Sequence, residues 1–328
     1  MVKSLAKTYL LAMSLIKYQK INGRYELPNQ RVQATPKEIL KWQTSGSRQK
    51  WPKHVPNQFY PAPPKRVTGK DIAITWIGHS TVLIQTAGLN ILTDPFFSKR
   101  ASPSQLIGPA RVRAPGLALN NLPQLDVILL SHSHYDHMDK PALRALARAH
   151  KAKLITPLGN AHHAKGHDVA ELDWHESHTH QHIKVTALPA LHWSKRSFSD
   201  TNKSLWAAFM IETESGNVYF GADTGFGTGE TFREVGRLFG KPRLSLLPIG
   251  AYEPRWFMAP QHMNPEEAVM AHQLLGSKQS LAIHHGTVQL TDEAIDAPVA
   301  ALDQALATAN LSRKDFLVPD IGETLWIG

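Results

Sequence analysis

From residue 71 onward, apolar positions recur in short runs broken by glycine and polar turns, the pattern of consecutive β-strands: IAITWIG, TVLIQTAG and NILTD follow one another in this way. DVILLS at 126–131 is a continuous apolar run of the buried-strand type. It leads into a polar, histidine-rich segment, after which Asp139 can cap a helix that places Leu143 and Leu146 on one face. LITP, IKVTALP, WAAFMIET, NVYFGAD, LSLLPIG and SLAIHHG continue as strands, while ETFREVGRLF and PEEAVMAHQLL have helical spacing. The second helix has well-defined ends: Asn264 as cap, Pro265 in the first turn, Glu266 and Glu267 at the positive end, and Gly276 after it. Two strand-rich halves with helices between them predict an α/β chain, two facing sheets with helices outside, that is, a four-layer αββα sandwich. Residues 20–70, with WPKHVPNQFYPAPPKR, lack this periodicity and read as an extended wrapping arm. Before it, MVKSLAKTYLLAMSLIKYQK reads as an amphipathic helix with Leu5, Leu11, Leu15 and Tyr18 on or near one face. The expected division is a helix and arm over 1–70 and a folded domain over 71–328.

Composition narrows the chemistry. With 328 residues the chain can bury a sizeable core, and with no cysteine it has no disulfide, thiolate metal site or cysteine nucleophile. Any metal must be held by histidine and carboxylate, and the chain has 18 histidines. The excess of 36 Lys and Arg over 27 Asp and Glu, a formal +9, favours anionic partners: phosphates, nucleic acid or an acidic membrane surface. The basic residues are dispersed and no RNA- or DNA-binding motif is present, which leaves a nucleic-acid-binding protein as the non-enzymatic alternative. No apolar run is long enough to cross a bilayer, and the N-terminus lacks a small-residue cleavage site. The expected location is the cytoplasm, with peripheral contact on the inner membrane face. Nothing in the sequence separates a monomer from a homodimer.

The histidines cluster where chemistry is expected. His132, His134, Asp136 and His137 form H-x-H-x-D-H directly behind an apolar strand. Residues two apart on an extended strand exit share one side, so His132 and His134 converge on one cation while Asp136 and His137 face a second. His192, Asp223 and His284 (with His285 beside it) each follow a further apolar run. The expected arrangement is His132, His134 and His192 on one metal, Asp136, His137 and His284 on the other, and Asp223 between them. Two zinc ions suit these ligands, and manganese and iron fit the same set. Two cations sharing a water lower its pKa and stabilise developing negative charge, so a bridging hydroxide is the expected nucleophile and hydrolysis the expected reaction. HST at 79–81 offers a serine, but no histidine–acid pair supports Ser80 as a nucleophile. The alternating histidines of HESHTHQH place His178, His180 and His182 on one face of an exposed strand.

WIGHSTVLIQ, LTDPFFSKRASPSQLIGPARVR, LLSHSHYDHMD, HWSKR, YEPRWFM, QHMNPEEAV and AIHHGT occur in an order that resembles the metallo-β-lactamase superfamily, in particular its N-acylphosphatidylethanolamine-hydrolysing phospholipase D branch. The resemblance covers most of residues 70–290. It implies the αββα sandwich, a binuclear zinc centre and the same seven ligands, with His284 rather than His285 as the last. It makes Asp94 a structural acid behind the histidine loop. It places His262, which precedes the capped helix, in the active-site cavity, where it contacts phosphate or assists the leaving group. Gln105 matches a cavity position of the family, whereas Leu106 replaces an aromatic residue found in some relatives. Tyr252 and Trp256, in an aromatic stretch interrupted by Arg255, are candidates for a lipid-facing wall. Asp136, Asp223 and His262 are then the catalytic set, and the substrate a phospholipid phosphodiester yielding N-acylethanolamine and phosphatidic acid. A lactonase or another ester or phosphoester hydrolase is the enzymatic alternative, since one fold serves many reactions.

Overall fold

A computed structural model describes residues 17–28, 34–46 and 48–328. Most strands run alongside neighbours in sequence. Thr324–Ile327, Ile72–Gly78, Thr81–Thr86, Leu89–Thr93, Val127–Leu129, Lys153–Pro157 and Asp168–Leu172 form, edge to edge, one seven-stranded sheet. Phe316–Leu317, Gln279–Ile283, Leu244–Pro248, Val218–Phe220, Ala208–Glu212, Ile183–Leu188 and Ser177–His180 form a second. Each sheet is antiparallel on one side and parallel on the other, and most of the parallel strands are joined by α-helical crossovers.

The pleat explains the layers. Val127 and Leu129 point into the core shared by the sheets, with Ile74, Ile84, Phe209 and Phe220, whereas Ile128 and Leu130 point the other way. That second face is covered by the helix Lys140–Ala149, whose Leu143 and Leu146 are buried against it and whose cap is Asp139, accepting from Ala142 N–H. The helices Glu230–Phe239, Pro265–Leu275 and Ala297–Thr308 complete the four-layer αββα sandwich that the periodicity predicts. Asn264 and Glu267 form a reciprocal capping box on the helix Pro265–Leu275, and Gly276 closes it in the left-handed conformation.

The arm is more structured than its composition predicts. Gln19–Ile21 and Arg24–Glu26 pair as a small hairpin, and Pro36–Gln43 is a helix with a Thr35/Glu38 capping box. The expected amphipathic helix at the N-terminus falls largely outside the described residues. Tyr18, which is described, precedes the hairpin, donates to the Asp173 carboxylate and packs edge-on against Trp174. The arm fastens to the body through Tyr25 N–H to Asn202 O, Trp51 Nε1 to Glu293 O and Val55 N–H to Val112 O. The histidine-rich strand is also shorter than expected. Ser177–His180 carries His178 and His180 on its half-buried face, but Gln181 turns the chain with a positive φ, and His182 leaves the strand to contact Ala87 O.

Candidate metal centre

Strand ends deliver the candidate ligands to one rim. His132 follows Val127–Leu129, Asp223 follows Val218–Phe220, and His284 follows Gln279–Ile283. Several of these exits turn sharply, with left-handed backbone at His79, Asp94, Ala222, Ala251 and His284. Such conformations cost energy in residues with a Cβ and concentrate at functional sites. Gly250 passes so close that a Cβ there would lie 2.2 Å from the His284 carbonyl oxygen, so only glycine lets the loop after Leu244–Pro248 pack against this turn.

All seven side chains singled out in the sequence meet here, in two groups. In the first, His134 Nδ1 lies 2.9 Å from His132 Nε2 and 3.2 Å from His192 Nε2. In the second, Asp136 Oδ2 lies 3.3 Å from His137 Nε2 and 3.4 Å from His284 Nε2. Asp223 Oδ2 stands between them, 3.2 Å from both His137 Nε2 and His284 Nε2 and 3.7 Å from His192 Nε2.

Hydrogen bonds on the far side of His132, His137 and His192 fix which nitrogen of each carries the proton. Asp94 Oδ2 accepts from His137 Nδ1 at 2.7 Å and from the Ser131 hydroxyl at 2.6 Å. Ser131 Oγ in turn accepts from His132 Nδ1 at 2.9 Å, and Gln261 O accepts from His192 Nδ1 at 3.1 Å. The Nε2 lone pairs of His132 and His192 are therefore aimed at the centre with His134 Nδ1. With His134 protonated on its unpartnered Nε2, a divalent cation would satisfy all three. Tetrahedral zinc with Zn–N distances near 2.0–2.1 Å sets its nitrogens about 3.4 Å apart, close to the spacing seen. In the second group, His137 Nε2, His284 Nε2 and Asp223 Oδ1 are buried without a hydrogen-bond partner, as residues built for a cation would be. The donor set thus fits two divalent cations, one held by nitrogens and one by mixed nitrogen and oxygen.

The electrostatics are those of a dry, strongly coupled site. Burial, reinforced by neighbouring histidines, pushes His132 well below the usual imidazole range. Burial likewise brings His134 down to about 4 and His192 to about 3. Although burial opposes ionisation of Asp136, the His137 charge and the hydrogen bond from His79 hold its carboxyl well below the usual range. Asp223 behaves likewise, with His137 and His284 overcoming burial. Against the same burial, Asp223 and Asp136 raise His137, and Asp223 raises His284 to about 9.

The flanking candidates separate. His262 lines the metal cavity, with Nδ1 unpartnered and 4.0 Å from Asp223 Oδ2. Its backbone is anchored by Arg255, which donates to His262 O at 2.9 Å and forms a bidentate pair with Glu267. The same aromatic stretch gives the cavity Phe257 and Met258, while Trp256 is half-exposed beneath Lys41 and Tyr252 lines a groove between the helices Pro265–Leu275 and Ala297–Thr308. Gln105 lies in a neighbouring cavity, its side-chain amide bonded to the Arg100 backbone.

Two contributors escaped the sequence reading. His79, in the HST turn weighed only for its serine, is buried and lies 2.9 Å by Nε2 from Asp136 Oδ2; the one available signal was a histidine at the end of an apolar strand. Ile39 and Trp42 of the arm helix reach over the cavity, and Trp42 stacks on Phe257 at 5.0 Å. The T-P-x-E sequence of a capped helix was present at 35–38.

Two facing mixed sheets with a histidine–carboxylate cluster on their rim define a metal-dependent hydrolase, and residues 89–285 match the beta-lactamase superfamily domain. The chain belongs to the metallo-β-lactamase superfamily. It is similar to N-acyl-phosphatidylethanolamine-hydrolyzing phospholipase D 1 of Caenorhabditis elegans, 38% identical over 77% of this chain and 74% of that one. It is also similar to the mitochondrial N-acyl-phosphatidylethanolamine-hydrolyzing phospholipase D of Saccharomyces cerevisiae, 34% identical over 76% of this chain and 55% of that one. Among solved structures, Igni18, a metallo hydrolase of Ignicoccus hospitalis, shares the fold with a TM-score of 0.58 at 20% identity, over 79% of this chain and 99% of that one.

Proposed function

We propose that the chain is a metal-dependent phosphodiesterase of phospholipase D type, hydrolysing N-acylphosphatidylethanolamine-like phospholipids to N-acylethanolamine and phosphatidic acid. The observation that carries this reading is the composition of the cavity above the ligands. It joins the His134, Asp136, Asp223 and His262 side chains to an apolar patch of Ile39, Trp42, Phe257 and Met258, with Lys195 also on its lining, in a volume of about 340 Å³. A histidine–carboxylate cluster and a lysine beside an apolar patch suit an anionic headgroup attached to long chains. The two named relatives act on such lipids, by their names.

Two divalent ions, zinc by preference for this histidine-rich set, would supply Lewis acidity toward phosphoryl oxygens and water of lowered pKa. The chain's own residues do the rest. Asp223 touches both ligand groups through Oδ2, and its unpartnered Oδ1 is placed to accept a hydrogen bond from the attacking water. His262, brought to about 3 by burial, is neutral at ordinary pH and would donate a hydrogen bond from Nδ1–H to the phosphoryl group or to the departing alcohol oxygen. The apolar walls hold the acyl chain and exclude water around the phosphate. The test is mass spectrometry of products from N-acylphosphatidylethanolamine in mixed micelles, with wild type and Asp223→Asn, beside a panel of lactones and cyclic phosphodiesters. Release of N-acylethanolamine by wild type, reduced at least about 100-fold in the variant, is expected. Equal turnover in both proteins, or lactone cleavage alone, would end the proposal.

A further inference from the structure

Beside the metal cavity, on the other side of the 134–136 loop, lies a second cavity of about 490 Å³ with a different character. His134 and Asp136 face the first; Tyr135 faces the second, beneath the Arg196 guanidinium at 4.0 Å. Arg100, Lys140, Arg144 and Arg196 converge on this second space, together with half-buried His163. Its two carboxylates are already committed. Asp139 accepts the N–H groups of Phe97, Ser98 and Ala142, and Asp200 those of Arg196 and Ser197.

The cations differ in how they are held. Arg196 is fixed by the carbonyls of Ser133 and Met138, and Arg100 donates to Gly108 O. Lys140 and Arg144, one turn apart on the same helix, have no ion pair or hydrogen bond among the described residues, and the charge of the cavity's Asp200 offsets Lys140 only in part. Burial and the charges of Arg196 and Arg144 accordingly depress the Lys140 ammonium. Both loops that wall the cavity also carry exposed apolar tips. Leu106 and Ile107, 85% and 72% exposed, follow Arg100 and Gln105, while Phe198, fully exposed, lies between Arg196 and Asp200. Cations with free valence, flanked by apolar side chains that cover nothing, match an anionic bilayer surface: phosphate for the charges and acyl chains for the tips.

We propose that this cavity is a docking site for the phosphate headgroup of an anionic phospholipid, with Lys140 and Arg144 as its recognition pair and Leu106, Ile107 and Phe198 entering the bilayer. The site deepens the phospholipid reading of the metal centre, on which the choice of a lipid surface rests, but shares no ligand with it. Each cation at an anionic surface contributes roughly a fivefold factor in partitioning, so the free pair contributes about 30-fold.

The test is co-sedimentation of the intact, metal-loaded chain with phosphatidylcholine vesicles and with vesicles that also contain phosphatidylglycerol. Wild type should bind the anionic vesicles preferentially and lose that preference in high salt. Lys140→Gln/Arg144→Gln should reduce anionic binding about 30-fold, and Leu106→Ser/Ile107→Ser/Phe198→Ser should weaken binding to both vesicle types. Circular dichroism and metal content establish that each variant is folded and loaded. Equal binding to both vesicles, or an unchanged double variant, overturns the proposal. So does inorganic phosphate that stabilises wild type through Lys140 and Arg144 without any vesicle binding, since the site then serves free phosphate. Vesicle binding as expected without release of N-acylethanolamine would instead count against the phospholipase reading and leave the docking site standing.

Discussion

Asp94 Oδ2 accepts from His137 Nδ1 at 2.7 Å while the same oxygen accepts from the Ser131 hydroxyl, which orients His132. One carboxylate thereby sets the tautomer of a histidine in each ligand group. Asp94→Asn keeps an oxygen for the Ser131 N–H but removes the charge and one acceptor. Metal affinity should fall about 10- to 100-fold, measured by competition with a chromophoric chelator. An affinity unchanged from wild type would mean that the ring orientations are held by packing alone.

His79 makes a comparable claim on Asp136. Its ring lies 4.0 Å from that of His284 and its Nε2 is 2.9 Å from Asp136 Oδ2, all under buried backbone tied to Thr287. His79→Ala should lower metal content and cost about 1–3 kcal/mol in denaturant unfolding of the chelated protein. His79→Gln retains a donor and should recover much of the metal content. Alanine and glutamine variants that lose stability equally but keep both metals would assign His79 a packing role only.

Chelation and pH together test the site's proton balance. His137 is raised well above its ordinary value and His284 to about 9, so both rings carry protons at pH 7 when no metal competes. Coordination needs those Nε2 lone pairs, so binding should release about two protons near pH 7, read by calorimetry in buffers of different ionisation enthalpy. Affinity should rise from pH 6 to 9 as the release becomes easier. In the chelated protein the two raised histidines add stability that is complete below the unfolded pKa of about 6.5 and lost as pH climbs above it, for His284 as pH approaches 9. His134 and His192 are depressed to about 4 and about 3, so their contribution is complete above about 6.5 and drains as pH falls through those values, and His132, also depressed, acts in the same direction. A chelated protein whose unfolding midpoint is flat from pH 4 to 9 would contradict this balance.

Trp42 tests the roof. It stacks on Phe257 and donates Nε1–H to Asp292 at 2.9 Å. Trp42→Ala removes an apolar surface worth about 1.5–3 kcal/mol if the acyl chain lies against it, equivalent to roughly a 10- to 150-fold rise in KM for long-chain substrates. The rise should shrink as the acyl chain is shortened. A penalty independent of chain length would place the indole away from the lipid.

The meeting of the seven candidate ligands was legible because each follows an apolar strand, and strand ends in such sheets open onto one rim; H-x-H-x-D-H then needed only the pleat to divide it between two groups. Asp139 and Asn264 were legible as caps for a similarly local reason. His79 was not, because its partner Asp136 is brought to it by the fold and nothing near His79 in sequence marks the pairing. The arm was misjudged through composition. Its prolines suggested an extended chain throughout, yet Pro36 sits in the first turn, where a missing N–H costs nothing, and starts a helix. Gln105 and Tyr252 show the opposite difficulty. A local match identifies a segment but does not decide which of two adjacent cavities a side chain enters.

The roof formed by Ile39 and Trp42 comes from a segment that precedes the matched domain and touches the site only from above. Under the proposed function, the groups that would hold the metals and the surface that would meet the acyl chain lie in different parts of the chain, so substitutions at Ile39 or Trp42 should alter which acyl chains are accepted while the histidine–carboxylate cluster stays in place.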